Sequence, residues 1–223
     1  MNQPFRQDPP PFDPHDPSPR FLLWAYRHGV FPMADPLSDR IEWFCPDPRA
    51  LIPLGDRFHV RKSLERRVRK RPFDITTDRA FEEVIAACAA PRTYESLSWI
   101  DDRIIRRYVE LHRLGHAHSV EAWLDGKLVG GLYGVHVGAA FFGESMFVRP
   151  ELGGTDASKI CLVHLVHHLR SRSFRLLDTQ FSNQHLEQFG CVEIPAAEYL
   201  ERLAEAIDQP VIWQPFEPAA HRV

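Results

Sequence analysis

Residues 118–137 read HSVEAWLDGKLVGGLYGVHV and decide the fold class of this chain. The runs 118–124 and 127–137 are strand-like, and Asp125-Gly126 between them is typical of a two-residue hairpin turn. The helical patterns that precede this stretch end at Gly115, so the chain changes here from helices to strands. The stretch therefore predicts an antiparallel β-hairpin.

Strands and helices alternate after the hairpin. The pattern predicts a strand at 139–148, a long amphipathic helix at 157–170 and a strand at 174–181. A short helix at 184–189, a short strand near Val192 and a last helix at 199–207 follow. This order predicts an α/β (α+β) fold, a mixed β-sheet with flanking helices. The same order forms the core of the GNAT acyltransferases, a likeness of fold that says little about chemistry.

Helices are predicted before the hairpin. A basic helix is expected at 58–71, where Pro72 ends it. Asp78 precedes a second helix, and a third covers 101–114. The apolar face of the second helix consists of Phe81, Val84, Ile85 and Cys88. Together these helices suggest one α-rich unit.

The N-terminal residues predict a separate organisation. Residues 1–19 are rich in Pro, Asp and Gln and are expected to form a mobile tail, because they bury too little surface to offset their ordering entropy. Residues 20–57 are expected to form a smaller helical and loop-rich subdomain, opened by a helix that Ser18 caps and Gly29 ends. Residues 58–223 are then the GNAT-like catalytic domain, which includes the basic helix.

Charge and cysteine content narrow the class of protein. The 223 residues carry a net charge of −3, so any nucleic-acid binding must come from a local patch of cations. The four cysteines are far apart and form no C-x-x-C pair, which argues against a zinc or disulfide scaffold. No apolar run approaches the roughly 20 residues of a membrane helix, and no signal-peptide pattern begins the chain. A cytoplasmic protein is expected.

Polar side chains interrupt three apolar strand segments. Glu121 lies in the first, Glu144 in GESMF, and Asp178 with Gln180 in LDTQF. Strand alternation places Asp178 and Gln180 on one face. A lone carboxylate of this kind is more often satisfied by an arginine or a backbone amide. Three such segments on one sheet instead favour a functional site.

The glycine pair Gly130-Gly131 lies inside a predicted strand, where glycine costs stability. Close approach of another backbone or of a ligand is one explanation. A β-bulge is the other, and the sequence leaves both open.

A dense run of cations marks the predicted basic helix. Its members are Arg61, Lys62, Arg66, Arg67, Arg69, Lys70 and Arg71. Such a run is usually a solvated helix face, but its density in a slightly acidic chain favours contact with phosphates. Trp99, just before a predicted helix, is the best candidate for a platform that stacks on a base.

The sequence argues against a metal site and against the catalytic triad of a hydrolase. His112, His116 and His118 are close in sequence but have no carboxylate at ligand spacing, so no metal site is expected. Ser145 does not lie in a G-x-S-x-G elbow, which argues against a hydrolase triad.

Short motifs along the chain resemble the leucyl/phenylalanyl-tRNA–protein transferase family. They are GVFP at 29–32, PDPR at 46–49, SWI at 98–100, LGHAHSVE at 114–121, the glycine-rich run 128–134, GESMF at 143–147, ASK at 157–159 and DTQ at 178–180. They occur in family order and cover roughly residues 20–203. No single motif is decisive, but HSVE, GESMF, ASK and D-x-Q in series are very specific.

The resemblance implies an aminoacyltransferase. It would move Leu or Phe, and Met less well, from aminoacyl-tRNA to a protein that begins with Lys or Arg, which creates an N-end-rule degradation signal. An amine attacks an ester that is already activated, so no cofactor or metal is implied. Nothing in the sequence demands more than a monomer.

The resemblance also assigns roles to residues. Asp178 would act through Gln180 to draw charge and a proton from the attacking amine, and Glu144 would hold a cationic group of a substrate. The implied substrate-binding residues are Trp99, Tyr108, Leu132, Met146, Leu165, Leu177, Met33 and Tyr26. The pocket for the aminoacyl side chain would be formed by Leu132, Met146, Leu165 and Leu177. Met33 stands where many members carry a Trp against the terminal adenosine, so adenine contact would depend more on Trp99.

Two other functions remain as alternatives. A GNAT enzyme that uses acetyl-CoA needs an R/Q-x-x-G-x-G/A loop before a helix, and RPELGG at 149–154 has the wrong spacing. A non-catalytic tRNA-binding module would not need Asp178, Gln180 and Glu144 together.

Overall fold

The computed structural model describes residues 10–13, 15–38, 40–91 and 98–216. Its strands, in chain order, are β1 (Phe31–Ala34), β2 (Ile41–Phe44), β3 (Arg49–Leu51), β4 (Asp74–Thr77), β5 (Ala117–Leu124), β6 (Lys127–Val137), β7 (Ala140–Val148), β8 (Leu176–Gln180) and β9 (Val192–Ile194). Its α-helices are α1 (Pro19–Arg27), α2 (Lys62–Arg69), α3 (Phe81–Ala89), α4 (Asp102–Arg113), α5 (Ala157–Ser171), α6 (Gln184–Glu187) and α7 (Ala196–Ile207). Among these residues, no helix combines the length and the apolar character needed to cross a bilayer.

In the part of the chain that the structure describes, seven strands form one mixed sheet. The strand order is β4-β5-β6-β7-β8-β3-β9. Neighbouring strands are antiparallel except β7 and β8, which are parallel. Helices α1, α3, α4 and α7 cover one face, and α2 and α5 cover the other. This sheet confirms the predicted mixed α/β fold with flanking helices.

The cap and the end of the first helix, and the turn of the hairpin, lie where the sequence predicts them. The side chain of Ser18 accepts a hydrogen bond from the Phe21 N–H at 3.2 Å and caps α1. Gly29, with a φ of 76°, follows the end of that helix. Asp125-Gly126 joins β5 to β6 with two positive φ angles, as its residue types favour.

Short strands occupy segments that sequence reasoning interpreted as loops. β1 pairs with β2, and β3 lies between β8 and β9, so residues 49–51 belong to the main sheet. The edge strand β4 was also missed. Each of these strands has only three or four residues, too few for a periodic pattern to show. β3 also pairs with β8 and β9, which lie far along the chain, and a local sequence pattern cannot show such a pairing.

The basic helix is shorter than predicted. α2 spans Lys62–Arg69 rather than 58–71, because the chain before it pairs elsewhere. The His59 N–H donates to the Phe189 carbonyl at 3.0 Å, which is not a helical bond. The idea of one α-rich unit is also wrong, since α2 packs on one face of the sheet and α3 and α4 pack on the other.

Part of the segment expected to be a tail packs on the body. The Phe12 ring lies 4.6 Å from the Phe21 ring, between centroids. The Asp16 carboxylate accepts from Arg107 of α4 at 2.6 Å. Residues 1–9 and 14 of that expected tail lie outside the described residues.

The close approach of α5 explains the glycine at position 130. A Cβ added to Gly130 would lie 2.6 Å from the Ala157 Cβ and 3.2 Å from the Ser158 nitrogen. The register of β5 against β6 also shifts nearby, between Ala122 and Trp123. Both explanations that the sequence left open therefore apply, and the steric one explains why position 130 has no side chain.

We expect Gly130→Ala to lower the free energy of unfolding by about 1–3 kcal/mol, because the added methyl group must displace the first turn of α5. Urea unfolding measures the change. The matched control is Gly55→Ala, since a Cβ there meets no atom within 4 Å. That control should change stability by less than about 1 kcal/mol. Equal losses in the two variants would contradict the steric explanation.

Candidate active site

The parallel strands β7 and β8 separate where their polar residues begin. Their described pairing ends with Phe142 opposite Asp178, although β7 continues to Val148 and β8 to Gln180. Glu144 and Gln180 face each other beyond that point, and Gln180 Nε2 donates to Glu144 Oε1 at 3.3 Å. The opening between the two strands is the candidate active site.

Gln180 has a left-handed backbone, with a φ of 60°. The pairing of β3 with β8 shifts here, because Leu51 lies opposite Asp178 and Ala50 lies opposite Gln180. The regular alternation assumed from the sequence therefore does not hold at the end of β8. A non-glycine residue in this conformation costs about 1–3 kcal/mol and persists only where its surroundings hold it. The Asp178 Oδ1 atom holds it by accepting the Gln180 N–H at 2.8 Å.

Glu144 is surrounded by neutral donors. Its Oε1 atom accepts from the Tyr26 hydroxyl at 2.8 Å, in addition to the Gln180 amide. Its Oε2 atom lies 3.5 Å from the Tyr108 hydroxyl oxygen. The two hydroxyl groups also share a short hydrogen bond with each other. Both tyrosines are fully buried, so helices α1 and α4 each supply a fixed phenol to the same carboxylate.

This environment changes how Glu144 titrates. Burial raises the pKa of Glu144 to about 8, and the Asp178 carboxylate adds to the rise, whereas the Tyr26 hydrogen bond and the Arg49 cation oppose it. Burial also raises the pKa of the Tyr26 phenol and that of the Tyr108 phenol well above the usual value for tyrosine, so both phenols stay neutral. Glu144 can therefore gain or lose a proton near neutral pH, as a general base must.

Asp178 lies in a different environment, beside a cation. Its Oδ1 atom accepts from Arg49 Nε at 2.9 Å, and its Oδ2 atom accepts from Arg49 Nη2 at 2.6 Å. The Tyr199 hydroxyl donates to Oδ2 at 2.6 Å. Asp178 thus contacts Gln180 through the main chain, while the Gln180 side chain contacts Glu144.

The apolar residues expected to hold the aminoacyl side chain lie in one cluster. Leu132, Leu165 and Leu177 are buried, and Met146 packs against them partly exposed. This cluster is on the face of the sheet that α2 and α5 cover.

The residues expected near the terminal adenosine lie on the opposite face. Trp99 and Met33 are partly buried in the cluster that contains Tyr26 and Tyr108. The Trp99 carbonyl accepts from the Ala34 N–H at 3.1 Å, which joins the segment before α4 to β1. The structure therefore brings the predicted residues together as two groups, with Glu144 and Gln180 at the strand opening.

The cations of the basic run are mostly exposed. Leu64 and Val68 anchor α2 to the core, and the arginines and lysines around them point outward. Arg67 is the partly buried member and lies 3.6 Å from the Asp156 carboxylate at the start of α5. The patch is thus a solvent-facing cationic surface attached beside α5.

Sequence reasoning missed Arg49 and Tyr199. Both contact the Asp178 carboxylate, and both are buried. The PDPR motif contains Arg49, but nothing local shows that a residue so early in the chain meets β8. Tyr199 was recognised only as part of the last helix.

Sequence reasoning also missed a carboxylate beside the histidines. Asp78 Oδ2 lies 2.9 Å from His118 Nδ1, and the His118 Nε2 atom lies 3.0 Å from His136 Nδ1. Asp78, His112 and His118 therefore form a group that could surround a metal ion. The His112 Nδ1 atom is 2.8 Å from the Ala117 carbonyl, which requires a proton on that nitrogen and removes it as a ligand.

Comparison with known proteins identifies the family. The family model described as leucyl/phenylalanyl-tRNA protein transferase matches residues 51–204, and the model of that transferase's N-terminal domain matches residues 15–47. Among solved structures, a ribosomal-protein-alanine N-acetyltransferase from Brucella melitensis matches with a TM-score of 0.36 and 18% identity. That match covers 65% of this chain and 97% of the other, and a likeness this weak carries no argument about chemistry.

Curated relatives extend over nearly the whole chain. A leucyl/phenylalanyl-tRNA–protein transferase of Salinibacter ruber is 50% identical over 206 residues, which are 92% of this chain and 87% of the relative. One of Gloeobacter violaceus is 53% identical over 194 residues, which are 86% of this chain and 95% of the relative. The resemblance seen in the motifs is confirmed, and this chain belongs to the leucyl/phenylalanyl-tRNA protein transferase family.

Proposed function

We propose that this chain transfers Leu or Phe, and Met less well, from aminoacyl-tRNA to proteins that begin with Lys or Arg, and so creates an N-end-rule degradation signal. The observation that carries this proposal is the family match over residues 15–47 and 51–204. The polar group at the strand opening supports it, because it contains the proton acceptor that such a reaction needs.

The reaction joins an amine to an activated ester. The α-amine nitrogen bonds to the carbonyl carbon, the ester C–O bond breaks, and the departing ribose oxygen takes a proton. An N-terminal α-amine has a pKa of about 7.7–8.0, close to the pKa of about 8 for Glu144. Glu144 can therefore hold the α-ammonium group and then accept its proton. No metal or cofactor is needed for these steps.

Gln180 and Asp178 act together in this proposal. The Gln180 amide lies beside Glu144 and orients the attacking amine. Asp178 acts through Gln180 by holding its main-chain N–H. A reactant placed correctly in this way loses much less entropy on reaching the transition state.

The two faces of the sheet bind different parts of the aminoacyl end of the tRNA. The cluster of Leu132, Met146, Leu165 and Leu177 accepts the apolar side chain of Leu, Phe or Met. Trp99 and Met33 contact the terminal adenosine from the other face, where Tyr108 lies buried beside Glu144, and the cations of α2 contact tRNA phosphates. The protein acts as a monomer in the cytoplasm.

The acetyl-CoA alternative is disfavoured at the start of α5, where a GNAT enzyme binds pyrophosphate. The Asp156 carboxylate occupies that end of the helix, with Lys159 Nζ at 2.9 Å. Lys159 and Arg67, the cations next to this helix end, are thus already paired with Asp156 and are not free to bind a pyrophosphate.

The reaction class is tested with radiolabelled Leu on tRNA and a peptide that begins with Arg. We expect transfer to this peptide, and none to a peptide that begins with Ala. Acetyl-CoA offered as donor should give no product. Acetylation without transfer from tRNA would replace this proposal with the CoA alternative, and tRNA binding without any turnover would indicate a non-catalytic module.

Glu144→Gln should lower the turnover number by about 10²- to 10⁴-fold, because it removes the proton acceptor and keeps the size of the side chain. In the unchanged enzyme the rate should rise as pH passes through about 8, where Glu144 loses its proton. Single-turnover rates from pH 6 to 9 measure both effects.

The matched control for Glu144→Gln is Glu205→Gln, an exposed carboxylate on α7. It should leave the rate and its pH dependence unchanged. The role of Glu144 in proton transfer would be contradicted by equal losses in turnover and in tRNA affinity.

Joint replacement of Arg66, Arg67 and Lys70 by Gln should reduce the slope of log K against log salt for tRNA binding by about 2–3, since each phosphate contact contributes about 0.7–0.9. Filter binding at several salt concentrations measures the slope. Replacement of three exposed cations elsewhere, Arg106, Arg113 and Lys127, is the charge-matched control. Equal slopes in both triple variants would make α2 an ordinary solvated face.

A further inference from the structure

We propose that Arg49 is a positioning residue of the transfer reaction, which holds two separate arms of the protein around the Glu144 carboxylate. This inference rests on the proposed function, because it gives Glu144 a role in the reaction. Arg49 is itself fully buried, so it acts through other residues and does not touch the substrates.

The first arm is the end of β8. The guanidinium group of Arg49 donates to both oxygens of the Asp178 carboxylate, at 2.9 and 2.6 Å. Asp178 in turn accepts the Gln180 N–H at 2.8 Å and so supports the left-handed backbone of that residue. This backbone turns the Gln180 amide toward Glu144 Oε1, at 3.3 Å. Arg49 thus holds the Gln180 amide, one of the donors to Glu144 Oε1, in place through the Asp178 carboxylate and the Gln180 main chain.

The second arm is the end of α1. Arg49 Nη1 donates to the Gly29 carbonyl at 2.9 Å. The Gly29 N–H donates to the Tyr26 carbonyl at 3.1 Å, within the turn that closes the helix. The Tyr26 hydroxyl donates to Glu144 Oε1 at 2.8 Å. Both arms therefore start at one guanidinium group and converge on one carboxylate oxygen.

Arginine is the side chain that this geometry requires. Its planar group presents donors in a fixed fork, which matches a carboxylate on one side and a carbonyl on the other. The Phe31 and Tyr199 rings hold it by cation–π contacts, with centroids 4.8 and 4.5 Å from the Arg49 Cζ atom. A lysine ammonium can replace the charge but cannot reproduce the fork.

The charge of Arg49 has a second consequence for the same site. Asp178 raises the pKa of Glu144 by repulsion, and Arg49 lowers it by attraction. Loss of the cation should therefore move the Glu144 pKa upward. A residue whose charge did not reach the site would leave that titration unchanged.

The experiment compares Arg49→Lys and Arg49→Gln with the unchanged enzyme. Arg49→Lys should lower single-turnover transfer by about 100-fold, the loss that follows from a misplacement of about 1 Å, and should leave aminoacyl-tRNA affinity unchanged. Its rate should still rise near the pH of the unchanged enzyme, because the charge remains. Arg49→Gln should also shift that rise to higher pH. The matched control is Arg113→Lys, an exposed arginine paired with Glu82, which should behave as the unchanged enzyme.

A second measurement does not depend on activity. The ¹³C-carboxyl resonance of Glu144, assigned by its loss in Glu144→Gln, is titrated by NMR in the unchanged protein and in Arg49→Gln. We expect a higher midpoint in the variant. If the unchanged protein failed to transfer Leu at all, the proposed function would be wrong, while this titration would still test the influence of Arg49 on Glu144.

Several outcomes would overturn the proposal. They are wild-type turnover in Arg49→Lys, equal losses of turnover and tRNA affinity, or an unmoved Glu144 midpoint in Arg49→Gln. Failure of both variants to fold would assign Arg49 to stability alone and would also overturn it.

Discussion

Arg49 and Asp178 form a buried ion pair, with hydrogen bonds of 2.9 and 2.6 Å between guanidinium and carboxylate. Two buried charges are costly to remove from water, and loss of one partner leaves the other unpaired at a cost of about 3–5 kcal/mol. The Gly29 carbonyl accepts a further hydrogen bond from Arg49, and the Tyr199 hydroxyl donates a further one to Asp178. The end of α1, β3, β8 and α7 all meet at this pair, so their relative position depends on it.

Because of the ion pair, the neighbouring carboxylates of Asp178 and Glu144 have different hydrogen-bond partners. Asp178 lies against a cation and accepts hydrogen bonds from four donor groups, which are Arg49 Nε, Arg49 Nη2, the Tyr199 hydroxyl and the Gln180 main chain. Among the described residues, Glu144 accepts from neutral groups, the Tyr26 hydroxyl and the Gln180 amide, and burial raises its pKa to about 8. The two acids thus lie in different electrostatic surroundings within one site. The Tyr26 hydroxyl comes from the segment matched by the N-terminal family model, so that segment completes the site.

The elements predicted correctly are those with a strong local pattern. The hairpin of β5 and β6 follows from a turn pair between two apolar runs, and the buried face of α3 follows from helical spacing. Glu144, Asp178 and Gln180 stood out as candidates for a site because polar side chains in apolar strands are conspicuous, and their roles stay a prediction. β1, β2, β3 and β4 were missed because three or four residues are too few to establish a period.

The sequence by itself determined the mixed sheet with its flanking helices, the family, and the three conspicuous polar residues of β7 and β8. Only the tertiary structure decided that Arg49 meets Asp178, that Tyr26 and Tyr108 meet Glu144, and that Gln180 reaches Glu144 with its side chain while Asp178 holds its main chain. Turn chemistry and apolar periodicity act between residues a few positions apart, so a sequence displays them directly. The ion pair and the phenol contacts join residues that lie far apart in the chain, and only the folded sheet brings their charges and donors within reach of each other.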